Sequence, residues 1–447
     1  MKTRSRSYLL KPLVLFLVTL GPFAVGAIGF IGFTPITASL LIIFLAFVAW
    51  ELRPNSRSSA AQKLIVPLLS VCLTVTGFDL VSRPFLRETL LLRPTGMFQS
   101  PWPPMPLVSR YAPYVHYRGY VSGDLVGLTG ERADREVREE EFLTDAYGFR
   151  NELTIPAQSE SLDVILLGDS MADGANTTQE GMLTSVLSRN YGHRAYNLSM
   201  SGAGPWEEYV NLLLELDRLR IKPAGTVLLW AIFTGNDLDD HCYALLEKGQ
   251  LPWNGWLRSR LVSYDTFRRR SPVRLLRIYS GLTLFKPTPS LITRRDFLNG
   301  RKMLFLSSFA LRRNRTIVDV LRAPNFSCIK STMSAMKKLG DEKHMEIAIV
   351  VVPSKEEVYS WVLDNGTPWS TSPEPSGFST VLKNVSAEEG FRFLDLKPFL
   401  IDASKRAWED SGELLWWYDD IHWNVRGQKE AAAVIDRELL RHASINH

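Results

Sequence analysis

Five short apolar runs constrain this chain more than any other feature. They occupy residues 162–167, 195–198, 226–233, 345–352 and 391–396. Each has the length of a strand, and the unbroken apolar character suits a parallel strand buried on both faces. Stretches with apolar residues at helical spacing separate them, at 181–190 and 206–219, and another closes the domain at 427–440. Strands alternating with helices predict an α/β fold: a parallel sheet covered on both faces, in a three-layer αβα arrangement. In such sheets ligands bind at the carboxyl ends of the strands. The polar islands fall there: Gly168-Asp169-Ser170 after the first run, Gly202 after the second, and Gly235-Asn236-Asp237 after the third. A fourth island, Asp419-Asp420-Ile421-His422, precedes the closing helix.

Together these islands hold the parts of an ester-cleaving site. Ser170 stands between a strand and a helix, and its hydroxyl becomes a nucleophile only when a base takes its proton. Asp169 reads as the residue that holds the turn. Gly202 lets a backbone N–H approach an oxyanion, with Gly204 as a neighbouring competitor, and the Asn236 amide is a second donor for the same charge. His422 is one of seven histidines, but it has Asp420 two positions before it and Asp419 three before it. Either aspartate can orient the ring through Nδ1–H and leave Nε2 free to act on Ser170. Each island also has a plainer reading: a common turn tripeptide, a positive-φ glycine, an Asx turn, a structural histidine. Their joint appearance in one chain order favours catalysis. The three cysteines, Cys72, Cys242 and Cys328, show neither CxxC spacing nor a His/Cys cluster that suggests zinc; nothing in the site requires a metal, and no cofactor is expected. Cys242 and Cys328 are a candidate disulfide in an oxidising compartment.

The N-terminal part reads as a membrane domain over residues 1–85. No charged residue occurs from 12 to 50, a run of 39 residues, which as one helix would measure roughly 58 Å, about twice a bilayer core. The break at Gly32-Phe33-Thr34-Pro35 predicts a hairpin of two spans, with a third segment at 64–81. Lys2, Arg4, Arg6 and Lys11 before the first span, and Arg53, Arg57 and Lys63 after the second, assign those loops to the cytoplasm. Three spans put everything after about residue 85 outside; a third segment that only lies on the surface would leave it inside. Residues 86–155 read as a linker: 94–115, rich in Pro and aromatics, as an extended tether, and the charged stretch 131–141 as solvated. Residues 156–447 form the catalytic domain, with an insertion at about 245–335. Residues 251–330 carry 17 Lys and Arg against 3 Asp, a local charge of +14, which leaves −9 for the rest of a chain whose net charge is +5. That imbalance points to an anionic lipid surface or an acidic polysaccharide as partner, with no nucleic acid, or to a basic insert that is merely solvated.

Through these four motifs the chain resembles the SGNH (GDSL-like) hydrolase superfamily over residues 160–240 and 345–440. The resemblance implies that Ser170 is the nucleophile, Gly202 and Asn236 are the oxyanion donors and His422 is the base. The superfamily's Asp-x-x-His spacing selects Asp419; the Asp-x-His spacing of some membrane-associated, polysaccharide-modifying relatives selects Asp420. The first motif continues with Met171 where the family has Leu. Pro353-Ser354-Lys355-Glu356-Glu357-Val358-Tyr359 resembles the alginate-acetylation branch. The implied activity is a serine esterase acting on O-acyl groups, O-acetyl above all, of an extracytoplasmic glycan, in a bacterial inner membrane with the catalytic domain outside. An O-acyltransferase built on the same residues, or a non-catalytic scaffold of an envelope or exopolysaccharide machine, are the alternatives.

Overall fold

The computed structural model describes residues 93–102, 105–125, 135–152, 161–222, 225–240, 242 and 291–441. The apolar segments before residue 85, Cys72, and the arginines at 268–270 lie outside the described residues. Among the described residues no helix is long and apolar enough to cross a membrane.

The centre is a five-stranded parallel sheet. Its strands are β5 (Val164–Leu167), β6 (Ala195–Asn197), β7 (Val227–Phe233), β10 (Glu346–Val352) and β11 (Arg392–Asp395). They lie in the order β11-β10-β7-β5-β6. Side chains alternate across a strand, and here both parities are apolar. Val227, Leu229, Ala231 and Phe233 enter one core, while Leu228, Trp230 and Ile232 enter the other. Helices α2 (Leu183–Tyr191), α7 (Lys397–Ser411) and α8 (Val425–Ile435) cover the first face. Helices α3 (Pro205–Glu215), α4 (Phe326–Lys343) and α6 (Gly377–Glu389) cover the second. The result is the three-layer αβα domain that the sequence predicts. Two further helices, α1 (Ser170–Asp173) and α5 (Lys355–Val358), are single turns at strand ends. Helix boundaries follow local chemistry. In α6 the Ser376 hydroxyl accepts from Ser379 N, and Gly390, at φ 76°, ends the helix in the left-handed region.

Two expectations are corrected. Residues 94–115 are no extended tether. After a short helix (Pro94–Phe98) they form β1 (Gln99–Trp102) paired with β2 (Met105–Tyr111), followed by a second antiparallel pair, β3 (His116–Val121) with β4 (Arg138–Leu143). Proline lacks a ladder donor but is tolerated in edge strands, and a two-stranded pair consists only of edges. Tyr111, Phe142 and Phe149 then join the core on the α3 side, with Tyr111 edge-on to Phe142 at 4.9 Å. Nor is the charged stretch 131–141 solvated throughout, since Arg138 and Glu140 are buried on alternate positions of β4.

The described end of the basic insertion also contributes to the core. β8 (Ile292–Asp296) and β9 (Lys302–Leu306) form a hairpin that buries Met303, Leu304 and Phe305. Helix α4 sends Ile329, Met333 and Met336 onto the sheet, a spacing of three and four residues that fits one helical face. Cys242, beyond β7, is bonded to Cys328 of α4, with a Cα–Cα distance of 6.1 Å.

Candidate active site

Ser170 begins α1, directly after β5. Gly168 is dictated by space, because a Cβ there would sit 2.6 Å from the Ala172 Cβ and 3.1 Å from the Ala231 Cβ. Asp169 holds the turn as expected: its carboxylate accepts from Met171 N at 2.8 Å. Burial pushes this carboxyl up to about 6. The Met171 carbonyl in turn accepts from Trp423 Nε1 at 2.9 Å and Gln428 Nε2 at 3.0 Å. These bonds tie the serine turn to the histidine loop, through Trp423, and to α8, through Gln428.

His422 lies in that loop, ahead of α8, and is almost fully buried. Its Nε2 is 2.7 Å from Ser170 Oγ, and its Nδ1 is 2.5 Å from Asp420 Oδ1. Asp420 Oδ1 also accepts from the His422 backbone N–H at 2.9 Å. The other carboxylate oxygen accepts from Arg93, Arg138 and Asn176, each at 2.8 Å, and from Asp124 N at 3.1 Å. Burial alone would raise the Asp420 carboxyl, but Arg93, His422 and Arg138 overcome it and hold the group well below the ordinary carboxylate range. Asp419, the other candidate acid, is turned away from the ring. It accepts from Gly123 N and Glu136 N, both at 2.9 Å, and from Arg138 Nη1 at 2.5 Å. Asp419 therefore anchors the strand-pair region, and only Asp420 meets the imidazole.

The backbone of this loop is held from below by Lys355. Its ammonium donates to the carbonyls of Trp417, Tyr418 and Asp420 at 2.7, 2.9 and 3.0 Å. Burial lowers its pKa to about 8. Ser354 starts α5 with a reciprocal cap to Glu357, which aims Lys355 inwards.

Gly202 and Asn236 follow β6 and β7, the two strands that flank β5. The three loops at these carboxyl ends are thus neighbours. Gly202 is exposed at φ 75°, with open space where a Cβ would lie. Asn236 is half-buried, and its Nδ2 donates to Asp240 Oδ2 at 2.7 Å, which leaves one amide hydrogen for another acceptor. The Gly235 carbonyl accepts from Arg312 at 2.6 Å, and Asp237 closes the turn by accepting from Phe233 N at 2.6 Å. Gly204 is packed against Asp240, since a Cβ on it would lie 2.6 Å from the Asp240 Cβ. Burial, with Asp169 nearby, pushes the Asp240 carboxyl up to about 8.

Asp124, Asp420 and His422 present ligand atoms within 4.8 Å of one another, the one such group among the described residues. A guanidinium already occupies the position a cation would take. Arg93 lies 3.2 Å from Asp124 Oδ2, 2.8 Å from Asp420 Oδ2 and 3.3 Å from His422 Nδ1. Sequence reasoning missed Arg93, Arg138 and Asn176, the partners of the acid. Asn176 left one signal, its place six residues after the serine. The arginines left none, because a buried arginine and a solvated one look alike in sequence. The chemistry available is a proton path from Ser170 Oγ through His422 towards an ionised carboxylate, beside loops that offer N–H donors.

No family model matches the chain, and no curated protein matches it. Among solved structures it is similar to protein YxiM of Bacillus subtilis, at 9% identity and a TM-score of 0.35 over 74% of this chain and 75% of that one. A likeness this distant carries no weight in assigning a function.

Proposed function

We propose that the chain is a membrane-anchored serine esterase of the SGNH type that removes O-acyl groups, O-acetyl above all, from an extracytoplasmic glycan. The observation that carries this reading is the continuous hydrogen-bonded path Ser170 Oγ–His422 Nε2 and His422 Nδ1–Asp420 Oδ1, at 2.7 and 2.5 Å. Ser170 attacks the ester carbonyl while His422 takes its proton, and Asp420 stabilises the imidazolium that forms. The oxyanion is held by the Gly202 backbone N–H and the Asn236 amide. His422 returns the proton to the departing sugar oxygen. Water, deprotonated by His422, then releases the acid and restores Ser170. The Cys242–Cys328 bond supports an oxidising, extracytoplasmic setting. The uncharged run 12–50 supports the anchor, and the positive 251–330 segment supports an anionic lipid or acidic polysaccharide as neighbour.

The test is hydrolysis of p-nitrophenyl acetate by the full chain in detergent. Ser170→Ala and His422→Ala are expected to lose on the order of 10³-fold or more in kcat. Transfer of a labelled acetyl group to an oligosaccharide at the expense of hydrolysis would recast the same acyl-serine as an acyltransferase intermediate. A folded wild type that neither turns over ester nor reacts with a fluorophosphonate at Ser170 would refute the reading and leave the scaffold alternative.

A further inference from the structure

We propose that Arg93 and Arg138 are positioning residues of the active centre, a double guanidinium clamp that orients Asp420 and, through it, the His422 ring. The segment just ahead of β1 is then part of the catalytic machinery. The proposal rests on the serine-esterase reading above.

The geometry starts with the chain entering the domain. Pro94 occupies the first turn of a short helix, and Arg93 before it is extended, at φ −74° and ψ 136°, as a residue preceding proline prefers. That conformation places its guanidinium among four groups. Nη2 donates to Asp420 Oδ2 at 2.8 Å and lies 3.3 Å from His422 Nδ1, Nη1 faces Asp124 Oδ2 at 3.2 Å, and Nε donates to Asn176 Oδ1 at 2.6 Å. Asn176 passes the contact back, donating to Asp420 Oδ2 at 2.8 Å. Arg138 joins the two acids of the island, reaching Asp419 at 2.5 Å and Asp420 at 2.8 Å, and its guanidinium stacks 4.6 Å from the Trp417 ring.

This arrangement acts on the base through its acid. The planar fork fixes the carboxylate that in turn fixes the imidazole, a geometry that a lysine ammonium does not offer. Arg93 Nη2 also lies 3.3 Å from the ring. Other charged groups surround the Asp420–His422 pair. Asp124, Asp169 and Asp173 lie close enough to interact with His422. Asp419 and Glu140 act on Arg93, and the Lys355 ammonium reaches the Asp420 carbonyl. Among these cations only Arg93 touches the ring itself.

The experiment compares kcat and KM of the full chain in detergent for wild type, Arg93→Gln, Arg93→Ala, Arg93→Lys and Ser170→Ala, with p-nitrophenyl acetate. In Arg93→Gln, kcat falls by about 10²-fold with KM within about twofold. The Arg93 side chain is 19% exposed, so added guanidinium ion at millimolar concentration restores part of the rate to Arg93→Ala. Arg93→Lys keeps a positive charge and still loses kcat, and it carries the test if the Gln variant does not fold. A wild-type kcat in folded Arg93→Gln or Arg93→Lys overturns the clamp while leaving the esterase standing. Wild type without turnover, or equal turnover in Ser170→Ala, overturns the esterase reading and the clamp together.

Discussion

Replacing each aspartate of the C-terminal island separates two residues that are adjacent in sequence and equally buried. In Asp420→Asn the amide must face two incompatible sets of partners. One oxygen of Asp420 accepts from His422, and the other accepts from Arg93, Arg138, Asn176 and Asp124 N. If the amide oxygen stays with the four donors, the NH₂ group faces His422 Nδ1 and selects the tautomer whose Nε2 already carries a proton. That ring no longer serves Ser170 as a base. Loss of the correct tautomer costs on the order of 10⁴ in kcat, or about 5.5 kcal/mol of transition-state stabilisation. The buried Arg138 guanidinium and the partly exposed Arg93 also lose their shared anion, which costs up to about 3–5 kcal/mol of folding stability. In Asp419→Asn the contacts to Gly123 N, Glu136 N and Arg138 weaken. Stability falls by a similar amount, but kcat falls less than about tenfold, because the ring retains its carboxylate. The assay pairs urea denaturation with kcat measured well below the unfolding midpoint of each variant. Equal loss of kcat in the two folded variants would refute the assignment of Asp420 as the orienting acid.

Three further outcomes are expected. Asp169 is pushed up to about 6, and Asp173, Glu207 and Glu356 to about 7, in each case by burial. The folded state therefore holds protons that the unfolded chain releases near pH 4, so the stability they contribute is complete below about pH 4 and is lost as pH rises through 6 to 7. Urea midpoints at pH 5 and pH 8 should show the domain less stable at the higher pH. Reducing the Cys242–Cys328 bond, which spans 86 residues, lowers stability by up to ~4.6 kcal/mol in the chain-entropy account, read as the shift of the urea midpoint with reductant. Gly204→Ala puts a Cβ 2.6 Å from the Asp240 Cβ, displacing the carboxylate that orients Asn236. The kcat should fall by up to about 10²-fold, and a variant that folds with unaltered kcat would show that Asn236 needs no such support.

Local pattern was enough to foresee the sheet and the order of its polar islands. Unbroken apolar character, strand length and the polar loops at strand ends are properties of a few consecutive residues, so the runs at 164–167, 227–233 and 346–352 could be recognised without any long-range information. The same holds for Asp169 as the residue that holds the serine turn. What the tertiary structure alone decided depends on contacts across hundreds of residues. Asp420 rather than Asp419 faces His422 because residues 93, 138 and 176 claim the remaining oxygens around the two acids, and the clamp joins positions 327 apart in the chain. Charge misled in the same way at 131–141, where the sequence shows only that Arg138 and Glu140 are charged. Whether a charge is solvated or buried depends on the partners that folding brings to it, and for Arg138 those partners lie 281 and 282 residues away.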